Sequence, residues 1–504
     1  MNSSLRRFGP FGVAALLISC INACEVSNEQ MTAKTYCSSC HAFPEPNLLD
    51  KKTWKEHTLP KMAVWLGLTP VDTLLKGQPF EDIEAIKKSG AIAQTPMMSQ
   101  ETWQKIVDYY VKNAPEKLPA LPPQNYKNLE EGFGIEPAPF QPAASVTMLS
   151  YQPTLKKLLV GNREGKMYVL DRWQKQYEHQ FESAPSMASV NKNGTINVTV
   201  MGFMEPNNGY EGKLYQMSPK AGWLTMPVLS GLQRPVGFVQ ADLNRDQRDD
   251  FVVSNFGYLM GKLSLYEQLP DNSYQERLIY NVPGALQTTV GDFDGNGRTD
   301  LMVLMAQGNE GVFVFYNKPN GRWDMEQVLR FPPAFGSSYM EATDFDKDGD
   351  KDLLIANGDN GDYSIVLKPY HGIRVYLNDG TNHFKESFFF PMYGATKALA
   401  RDFDRDGDMD IAAIAYFAHY TQPNYHNFVW LRNDGPKGFV PFGSTKTNAG
   451  RWLVMEAFDG DNDGDDDLVL GSCINTPLEV PAKVRQQWEN KGTAVMWIEN
   501  HLKR

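Results

Sequence analysis

Two cysteines and a histidine lie close together near the start of the chain, where Cys37 and Cys40 enclose two serines and His41 follows directly. In a C-x-x-C-H pattern the two thiols can bond the vinyl groups of one haem, and the histidine can reach the iron. A thioredoxin-like pair normally follows a strand of a βαβ unit, and a zinc site needs more ligands nearby. Neither context is apparent, so the spacing predicts covalent haem c with His41 as an axial ligand.

The sixth ligand of the iron could come from several side chains. Met97 and Met98 stand just before the last helix expected in this region, where small cytochromes c usually place their methionine. Met62 lies only 21 residues after His41, and His57 is a further alternative. A thioether ligand would stabilise ferrous iron, but any one of these methionines could instead fill a core. The residues alone leave the alternatives open.

Five later segments match the pattern D-x-[DN]-x-[DN]-x-x-x-D, and we number them loop one to loop five. Oxygen ligands at alternating loop positions converge on a hard cation, and calcium takes six to eight of them. The sequence therefore predicts up to five calcium ions. The predicted ligands are Asp242, Asn244, Asp246 and Asp250; Asp292, Asp294, Asn296 and Asp300; Asp344, Asp346, Asp348 and Asp352; Asp402, Asp404, Asp406 and Asp410; and Asp459, Asp461, Asp463 and Asp467.

Glycine at the sixth position lets four of these loops turn sharply, and only loop one has another residue there, Gln247. An EF-hand would need a bidentate glutamate at position twelve and flanking helices. Here position twelve is apolar in every loop, and the residues that follow each loop are typical of strands, as in Phe251-Val252-Val253. The loops are therefore predicted to be hairpin tips between strands.

The first positions of the loops recur at intervals of 50, 52, 58 and 57 residues. A period near 50 with several strands per unit indicates the blades of a β-propeller. Two degenerate units precede the five: Ser189, Asn191, Asn193, Gly194 and Asn197 occupy the same frame, and 157–161 is the matching strand one unit earlier. Seven blades are predicted, with six or eight as alternatives.

Short helices are expected around the haem motif, near Trp54, around 82–88, and from Ser99 onwards, where Ser99 can cap a helix. In the last of these, apolar residues fall at helical spacing, namely Trp103, Ile106, Val107, Tyr110 and Val111. Seven prolines between 114 and 142 then predict a semi-rigid linker. The prediction is a multidomain protein with a small all-α domain and a large all-β propeller. Its parts are a signal peptide (1–19), a tether (20–36), a cytochrome c-like domain (37–118), a proline-rich linker (119–142) and the propeller (143–504).

The first residues are typical of an export signal, because Arg6 and Arg7 precede a short apolar stretch that ends at Ser19-Cys20. A small residue before a cysteine predicts lipidation of Cys20, with Cys24 as the alternative, and hence a tether to a membrane outside the cytoplasm. No apolar run approaches the length of a membrane-spanning helix. The net charge of -11 argues against nucleic acid as the main partner, and residues 121–504 carry -12 of it.

The aspartate repeats resemble FG-GAP or VCBS repeats of the integrin α-type seven-bladed propeller, over roughly 143–504. Across its whole length the chain is similar to bacterial surface lipoproteins that join such a propeller to an N-terminal cytochrome c domain. That resemblance implies an outer-membrane location. It also favours Met62 as the sixth ligand, since residues 59–67 resemble an LPxM segment of those cytochrome domains.

No nucleophile–base pair, phosphate loop or dinucleotide fingerprint stands out, which favours an electron carrier or a binding protein over a catalyst. We expect electron transfer, with the propeller docking a redox partner or surface ligand. The alternatives are a propeller dehydrogenase that feeds its own haem and a surface adhesion or glycan-binding lipoprotein. Long connections rich in aromatic residues, such as 416–426, are candidate binding loops. Arg234, Lys397 and Arg451 could surround a channel mouth and attract an anion.

Overall fold

The structure is a computed structural model that describes residues 28–73, 80–90, 92–361, 366–474 and 480–502. The predicted signal peptide and both candidate lipidation sites, Cys20 and Cys24, lie outside the described residues. In the described ranges far more residues belong to β-strands than to helices, and the α-helices are concentrated before residue 114.

The α-helices before residue 114 form what we call the helical segment, residues 28–113. Ser99 caps the last of them as predicted, because its Oγ accepts a hydrogen bond from the backbone N–H of Thr102 at 3.1 Å. One turn of π-helix, Trp54–Thr58, joins α2 and α3 into a continuous run. The described α-helices are α1 (Asn28–Cys37), α2 (Lys51–Thr53), α3 (Leu59–Trp65), α4 (Phe80–Ser89), α5 (Gln100–Asn113) and, far along the chain, α6 (Ala482–Lys491).

Seven sheets arranged as blades form the β-propeller, which confirms the predicted propeller and its number of blades. Two strands precede the repeats, β1 (Lys127–Asn128) and β2 (Phe133–Pro137). Blade one contains β3 (Val146–Gln152), β4 (Lys157–Asn162), β5 (Lys166–Asp171) and β6 (Gln174–Gln180). Blade two contains β7 (Pro185–Val190), β8 (Ile196–Val200), β9 (Gly212–Ser218) and β10 (Leu224–Leu232). Blade three contains β11 (Pro235–Ala241), β12 (Asp250–Asn255), β13 (Lys262–Gln268) and β14 (Tyr274–Tyr280).

The remaining four blades follow in chain order. Blade four contains β15 (Ala285–Gly291), β16 (Asp300–Met305), β17 (Gly311–Lys318) and β18 (Arg322–Arg330). Blade five contains β19 (Ser337–Thr343), β20 (Asp352–Asn357), β21 (Gly372–Asn378) and β22 (Phe384–Pro391). Blade six contains β23 (Ala395–Arg401), β24 (Asp410–Ala415), β25 (Phe428–Asn433) and β26 (Phe439–Gly443). Blade seven contains β27 (Trp452–Phe458), β28 (Asp467–Ser472) and β29 (Val495–Asn500).

The second strand of each blade is the most apolar part of the propeller. All six residues of β12, β16, β20, β24 and β28 are buried. A strand covered on both faces needs a nearly continuous apolar sequence rather than an alternating one. This requirement explains runs such as Leu301-Met302-Val303-Leu304 directly after a polar loop.

Blade seven is completed by a strand from the other end of the repeat region. β2 pairs antiparallel with β29, with Ile135 opposite Ile498, and β1 adds a parallel fifth strand to blade six beside β26. Both strands fall within the segment predicted as linker, so the propeller begins upstream of residue 143. The physical reason is that residues 124–136 contain no proline and include apolar side chains such as Phe133 and Ile135, which the propeller buries.

Candidate functional site

The five predicted loops all lie at one end of the propeller, which we call the aspartate face. Each joins the first strand of a blade to its second strand, from β11–β12 in blade three to β27–β28 in blade seven. Connections between second and third strands emerge at the opposite end. We call that end the helix face, because the helical segment packs against Leu259, Ala334 and Val366 of these and neighbouring connections.

The aspartate at position nine is buried and holds its loop in place in every repeat. In loop four, Oδ2 of Asp410 accepts a hydrogen bond from the N–H of Phe403 at 3.2 Å, and Oδ1 accepts one from the N–H of Asn433 at 2.8 Å. The same pair of bonds, to the start of the loop and to the third strand, recurs in the other loops. Position nine therefore clamps backbone, a role that the ligand pattern did not predict. The residues concerned are Asp250, Asp300, Asp352, Asp410 and Asp467.

Four loops bring three carboxylates together so that their oxygens lie within 4.8 Å of one another. In loops three to five the group uses positions one, three and five, whereas loop two, with an asparagine at position five, uses position nine. Oδ1 of Asp344, Asp402 and Asp459 is buried and receives no hydrogen bond from the described residues. Clustered carboxylates with unsatisfied buried oxygens suit a divalent cation such as calcium. The groups are Asp292, Asp294 and Asp300; Asp344, Asp346 and Asp348; Asp402, Asp404 and Asp406; and Asp459, Asp461 and Asp463.

Two positions of each loop adopt left-handed backbone conformations. Position six does so with its predicted glycine in loops two to five, as at Gly349 with φ +102°. Position four has a glycine only in loop two, Gly295, and adopts this conformation with a side chain in the other loops, as at Lys347 with φ +65°. Gln247 takes the same conformation in loop one, with φ +69°. A side chain in this region costs about 1–2 kcal/mol, so loop one reaches the shared geometry against a local penalty.

Position seven divides the loops into two classes, a distinction that the ligand pattern overlooked although the residue types carry it. Loops three to five have an aspartate there, as at Asp350 and Asp465, whose Oδ1 atoms are buried and unpartnered within the described chain. Loops one and two have Arg248 and Arg298 instead. Loops three to five thus have a further carboxylate at position seven, whereas loops one and two have a positively charged guanidinium there.

Loop one departs furthest from a cation site. Arg248 forms an ion pair with Asp246, which stands at position five. Among the described residues, the acids of loop one do not form a compact group like those of the other four loops. The sequence predicted up to five calcium ions and distinguished loop one only by Gln247 at position six, whereas the geometry favours cation binding in the other four loops.

The electrostatics of the metal-free loops oppose crowded negative charge. Burial raises the pKa of Asp410 and that of Asp467 to about 7. Burial, and after it the repulsion from neighbouring carboxylates, raises the pKa of Asp465 to about 6. A bound divalent ion would reverse these shifts because it favours the ionised carboxylates.

Basic residues link adjacent loops across blade boundaries. Arg245 at position four of loop one donates to the carbonyl oxygen of Gly297 in loop two. Nη2 of Arg405 in loop four lies 3.8 Å from a carboxylate oxygen of Asp465 in loop five. Basic residues thus connect loop one to loop two and loop four to loop five.

The degenerate units in blades one and two form short hairpins. The β7–β8 turn is closed by Asn191 and Asn193, whose side chains both accept from the N–H of Thr195, at 2.9 and 2.8 Å. The predicted strand over 157–161 is β4. Amide oxygens replace carboxylates here and are already occupied by backbone donors.

The haem motif begins where α1 ends. Cys37 is the last residue of that helix and half-buried, Cys40 is exposed, and both are free thiols. Nδ1 of His41 lies 2.9 Å from the carbonyl oxygen of Ala42. If Nδ1 carries the proton, this contact orients the ring and leaves Nε2 for a metal. Burial, as the main cause, lowers the pKa of His41.

The candidate axial methionines differ in their placement. Met62, in α3, is half-buried and packs against the same apolar cluster as Cys37, a cluster built around Trp54 and Tyr110. Met98 is 8% exposed and belongs to that cluster, whereas Met97 is 50% exposed and lies outside it. The packing separates Met97 from the other two and leaves both Met62 and Met98 beside the cysteine.

The three basic residues expected at a channel mouth have different surroundings. Arg234 donates to the carbonyl oxygens of Met204 and Gly257, both at 3.1 Å. Arg451 is buried, with its guanidinium carbon 3.9 Å from the ring centre of Tyr416. Lys397 lies 5.2 Å from the ring centre of Tyr339. Each of the three residues thus contacts different groups, and the expected anion site at a channel mouth stays a prediction.

The aromatic loop over 416–426 packs largely inside the protein. Tyr416 and Tyr420 are buried, and His426 packs against Tyr126 at a tilted angle with ring centres 4.1 Å apart. Cys473 is buried as well, which raises the pKa of its thiol to about 11. In the described chain these aromatic groups pack against neighbouring residues, while residues 421–424 are exposed, and a binding role for the loop stays a prediction. None of the described helices is both long and apolar enough to cross a membrane.

Comparison with known proteins identifies the repeats. A family model described as FG-GAP-like repeat matches residues 242–303 and 292–355. Solved structures with a similar fold include BBS1N in complex with ARL6DN, at 10% identity and a TM-score of 0.43, over 73% of this chain and 96% of that chain. Another is the N-terminal domain of Nup159, at 11% identity and a TM-score of 0.41, over 75% of this chain and 97% of that chain. No curated protein matches the sequence. Blades three to five thus contain FG-GAP-like repeats.

Proposed function

We propose that the protein is an exported c-type cytochrome in which the helical segment transfers single electrons and a calcium-binding propeller serves as a binding scaffold. The observation that carries the proposal is the placement of Cys37, Cys40 and His41 at the end of one helix, beside an apolar cluster that contains candidate axial methionines.

The side chains around this motif fit a haem. Cys37 and Cys40 would form the thioether bonds, Nε2 of His41 would bind the iron, and Met62 would be the second axial ligand, with Met98 as the alternative. Haem c supplies one-electron redox chemistry when it is bound. The surrounding aromatic residues exclude water: the rings of Trp54 and Tyr110 lie 4.3 Å apart and both are buried.

The propeller supports a binding role. A propeller with FG-GAP-like repeats is consistent with a binding or adhesion-type surface protein, and loops on a rigid scaffold commonly carry binding residues. Calcium in loops two to five would neutralise clustered carboxylates and rigidify the aspartate face. The ligand of this scaffold would be a redox partner or a surface molecule.

Export and anchoring complete the proposal. Lipidation at Cys20, or at Cys24, would tether the chain to an envelope membrane, with the outer membrane as the proposed location. Cytochrome c maturation also takes place outside the cytoplasm, so the export signal and the haem motif require the same compartment.

The test is expression of the full chain together with a cytochrome c maturation system. We expect a mass increase of one haem and a visible absorption spectrum that survives denaturation. The Cys37→Ala/Cys40→Ala variant should lose both signals, whereas Cys473→Ala, which removes the lone thiol of the propeller, should keep them. An unmodified mass in the wild-type protein would refute the proposal.

A second candidate function is surface binding without a redox role, favoured by the two FG-GAP-like matches. Binding to polysaccharides or to cells should then be unaffected in the Cys37→Ala/Cys40→Ala variant. Loss of binding in that variant would instead connect the scaffold to the haem segment.

A further inference from the structure

A recess opens on the aspartate face between blades three and four. Its volume is about 300 Å³, and its walls come from loop one, loop two, the β17–β18 connection and Trp323 at the start of β18. Among the described residues that line it, none is an aspartate, so the recess is distinct from the carboxylate group of loop two. Its size lies at the lower end of the range for small-molecule sites.

Arg298 lines this recess and has a donor without an acceptor. Its Nε is buried and receives no hydrogen bond partner from the described residues. Its Nη2 makes one long contact, 3.5 Å from Oδ1 of Asn317. A buried donor on a charged group is costly to leave unpaired. The arrangement therefore points to an acceptor supplied from outside the chain.

The equivalent arginine of loop one shows what Arg298 lacks. Nε of Arg248 donates to the carbonyl oxygen of Gln268 at 3.0 Å, and its guanidinium pairs with Asp246 at position five. In loop two, position five is Asn296. The guanidinium of Arg298 thus has no carboxylate partner of this kind in the described chain, although both arginines stand at position seven.

The second arginine of the recess is already neutralised. Nη1 of Arg277 donates to Oε1 of Glu267 at 2.6 Å, and its Nη2 donates to the carbonyl oxygen of Gly321 at 2.8 Å. Because these two charges cancel, the recess keeps the positive charge of Arg298. A guanidinium can bind a carboxylate through two parallel hydrogen bonds. The recess therefore suits a ligand with a carboxylate.

The remaining walls suit a ring that bears hydroxyl groups. Trp323 is half-buried and offers a flat apolar surface. Oδ1 of Asn244 accepts from the N–H of Asp246 at 3.0 Å, which leaves the amide nitrogen of Asn244 as a donor at the exposed rim. Asn320, held in a left-handed conformation with φ +67°, provides a second exposed amide.

We propose that this recess binds a carboxylated sugar residue of an acidic polysaccharide. The carboxylate pairs with Arg298, the ring packs against Trp323, and the rim amides bind hydroxyl groups. The inference rests on the proposed role of the propeller as a binding scaffold and names its ligand class. An acidic peptide would also satisfy Arg298, but the flat indole surface favours a sugar ring.

The experiment is a calorimetric titration of the full chain, in calcium, with a hyaluronan tetrasaccharide, which contains glucuronate. N-acetylchitotetraose is the neutral comparison and should bind more weakly. We expect Arg298→Gln to reduce the affinity for the acidic tetrasaccharide roughly tenfold or more, and Trp323→Leu to reduce it as well. The matched control is Arg248→Gln, which should keep the wild-type affinity because Arg248 is already paired inside its own loop.

Arg298→Lys is the second variant at the same position. It keeps the positive charge but lacks Nε, so its affinity should also fall, and it decides the question if Arg298→Gln does not fold. Wild-type affinity in Arg298→Lys would show that the buried Nε plays no part, and the inference would be wrong.

The other outcomes also decide the inference. Absence of binding by the wild-type chain, or an equal loss in Arg248→Gln, would overturn it. Binding of polyglutamate that depends on Arg298 and not on Trp323 would identify an acidic peptide instead of a saccharide. Haem attachment is measured separately: a chain with covalent haem that binds no acidic saccharide would overturn this inference and leave the cytochrome proposal standing. Saccharide binding by a chain that acquires no haem would do the reverse.

Discussion

At the scale of single residues, the buried aspartate at position nine accepts hydrogen bonds from the backbone, and this role does not depend on a bound metal. Asp410 accepts hydrogen bonds from the N–H groups of Phe403 and Asn433. Removal of the carboxylate would leave each buried N–H without an acceptor, which costs roughly 1–3 kcal/mol of stability per group. We expect Asp410→Ala to lower the free energy of unfolding by about 2–4 kcal/mol even in chelator. Asp406→Ala, at the exposed position five, should lower it only when calcium is present. Chemical denaturation with and without calcium measures both, and equal losses in chelator would contradict the distinction.

A second prediction at this scale concerns Glu310, which is buried beneath the helical segment and accepts from the N–H and the hydroxyl of Ser337 at 2.7 and 2.6 Å. Burial raises its pKa from 4.5 to about 7. The folded state therefore binds more protons than the unfolded state between these values, and stability should fall as pH rises through this window, by about 3 kcal/mol in total. Above about pH 7 the stabilising contribution of protonated Glu310 is lost.

Glu310→Gln keeps an acceptor for Ser337 and removes the titration. Its unfolding free energy should change less between pH 4.5 and 7 than that of the wild-type protein. Glu136→Gln, on exposed strand residue Glu136 of β2, is the control and should keep the wild-type slope. Identical slopes in the wild-type protein and Glu310→Gln would show that Glu310 titrates normally.

The sequence predicted which residues gather in loops three to five, because the D-x-[DN]-x-[DN] spacing requires the side chains of alternating positions to converge. It did not predict that the aspartate at position nine accepts hydrogen bonds from the backbone. The role of position nine depends on Asn433 and its equivalents in the third strand, which lie 17 to 33 residues further along the chain. The sequence contains Arg248 and Asp246 two positions apart, but whether they form an ion pair inside the loop depends on the direction of their side chains.

At the scale of elements, closure of the propeller depends on β2. Phe133 and Ile135 are buried in the core cluster shared with blade seven, and Phe133 packs edge-on to Trp430 with ring centres 5.0 Å apart. Burial of these side chains contributes on the order of 5 kcal/mol. A chain beginning at residue 120 should therefore melt cooperatively, whereas one beginning at residue 143 should melt at a lower temperature or aggregate through the exposed edge of β29.

Both truncated chains lack the helical segment, so they are matched apart from β1 and β2. Equal melting temperatures would show that blade seven is stable with three strands. The boundary at residue 143 came from proline content, which correctly indicates an irregular connection but cannot show that a short apolar segment inside it pairs with a strand more than 350 residues away. That pairing is set by ring closure, a property of the whole fold and not of local sequence.

At the scale of the whole molecule, the acidic charge of the propeller and its stability should both depend on calcium. Four loops bring three carboxylates together, and loop one does not. Because ions that bind only the folded state stabilise it by mass action, chelation should lower the melting temperature. Calorimetric titration should show four strongly bound ions in place of the five that the repeat pattern suggests.

Two variants test which loops bind the four ions. Asp402→Asn should remove one ion from the count and reduce the calcium-dependent rise in melting temperature, because Asp402 belongs to a compact group with a buried unpartnered oxygen. Asp242→Asn, at the equivalent position of loop one, should leave the count unchanged, since Arg248 already neutralises part of that loop. A loss of one ion in Asp242→Asn would show that loop one binds calcium and that its arginine moves aside. All five loops of the aspartate face would then be cation sites, and the ion pair between Arg248 and Asp246 would have to break on binding.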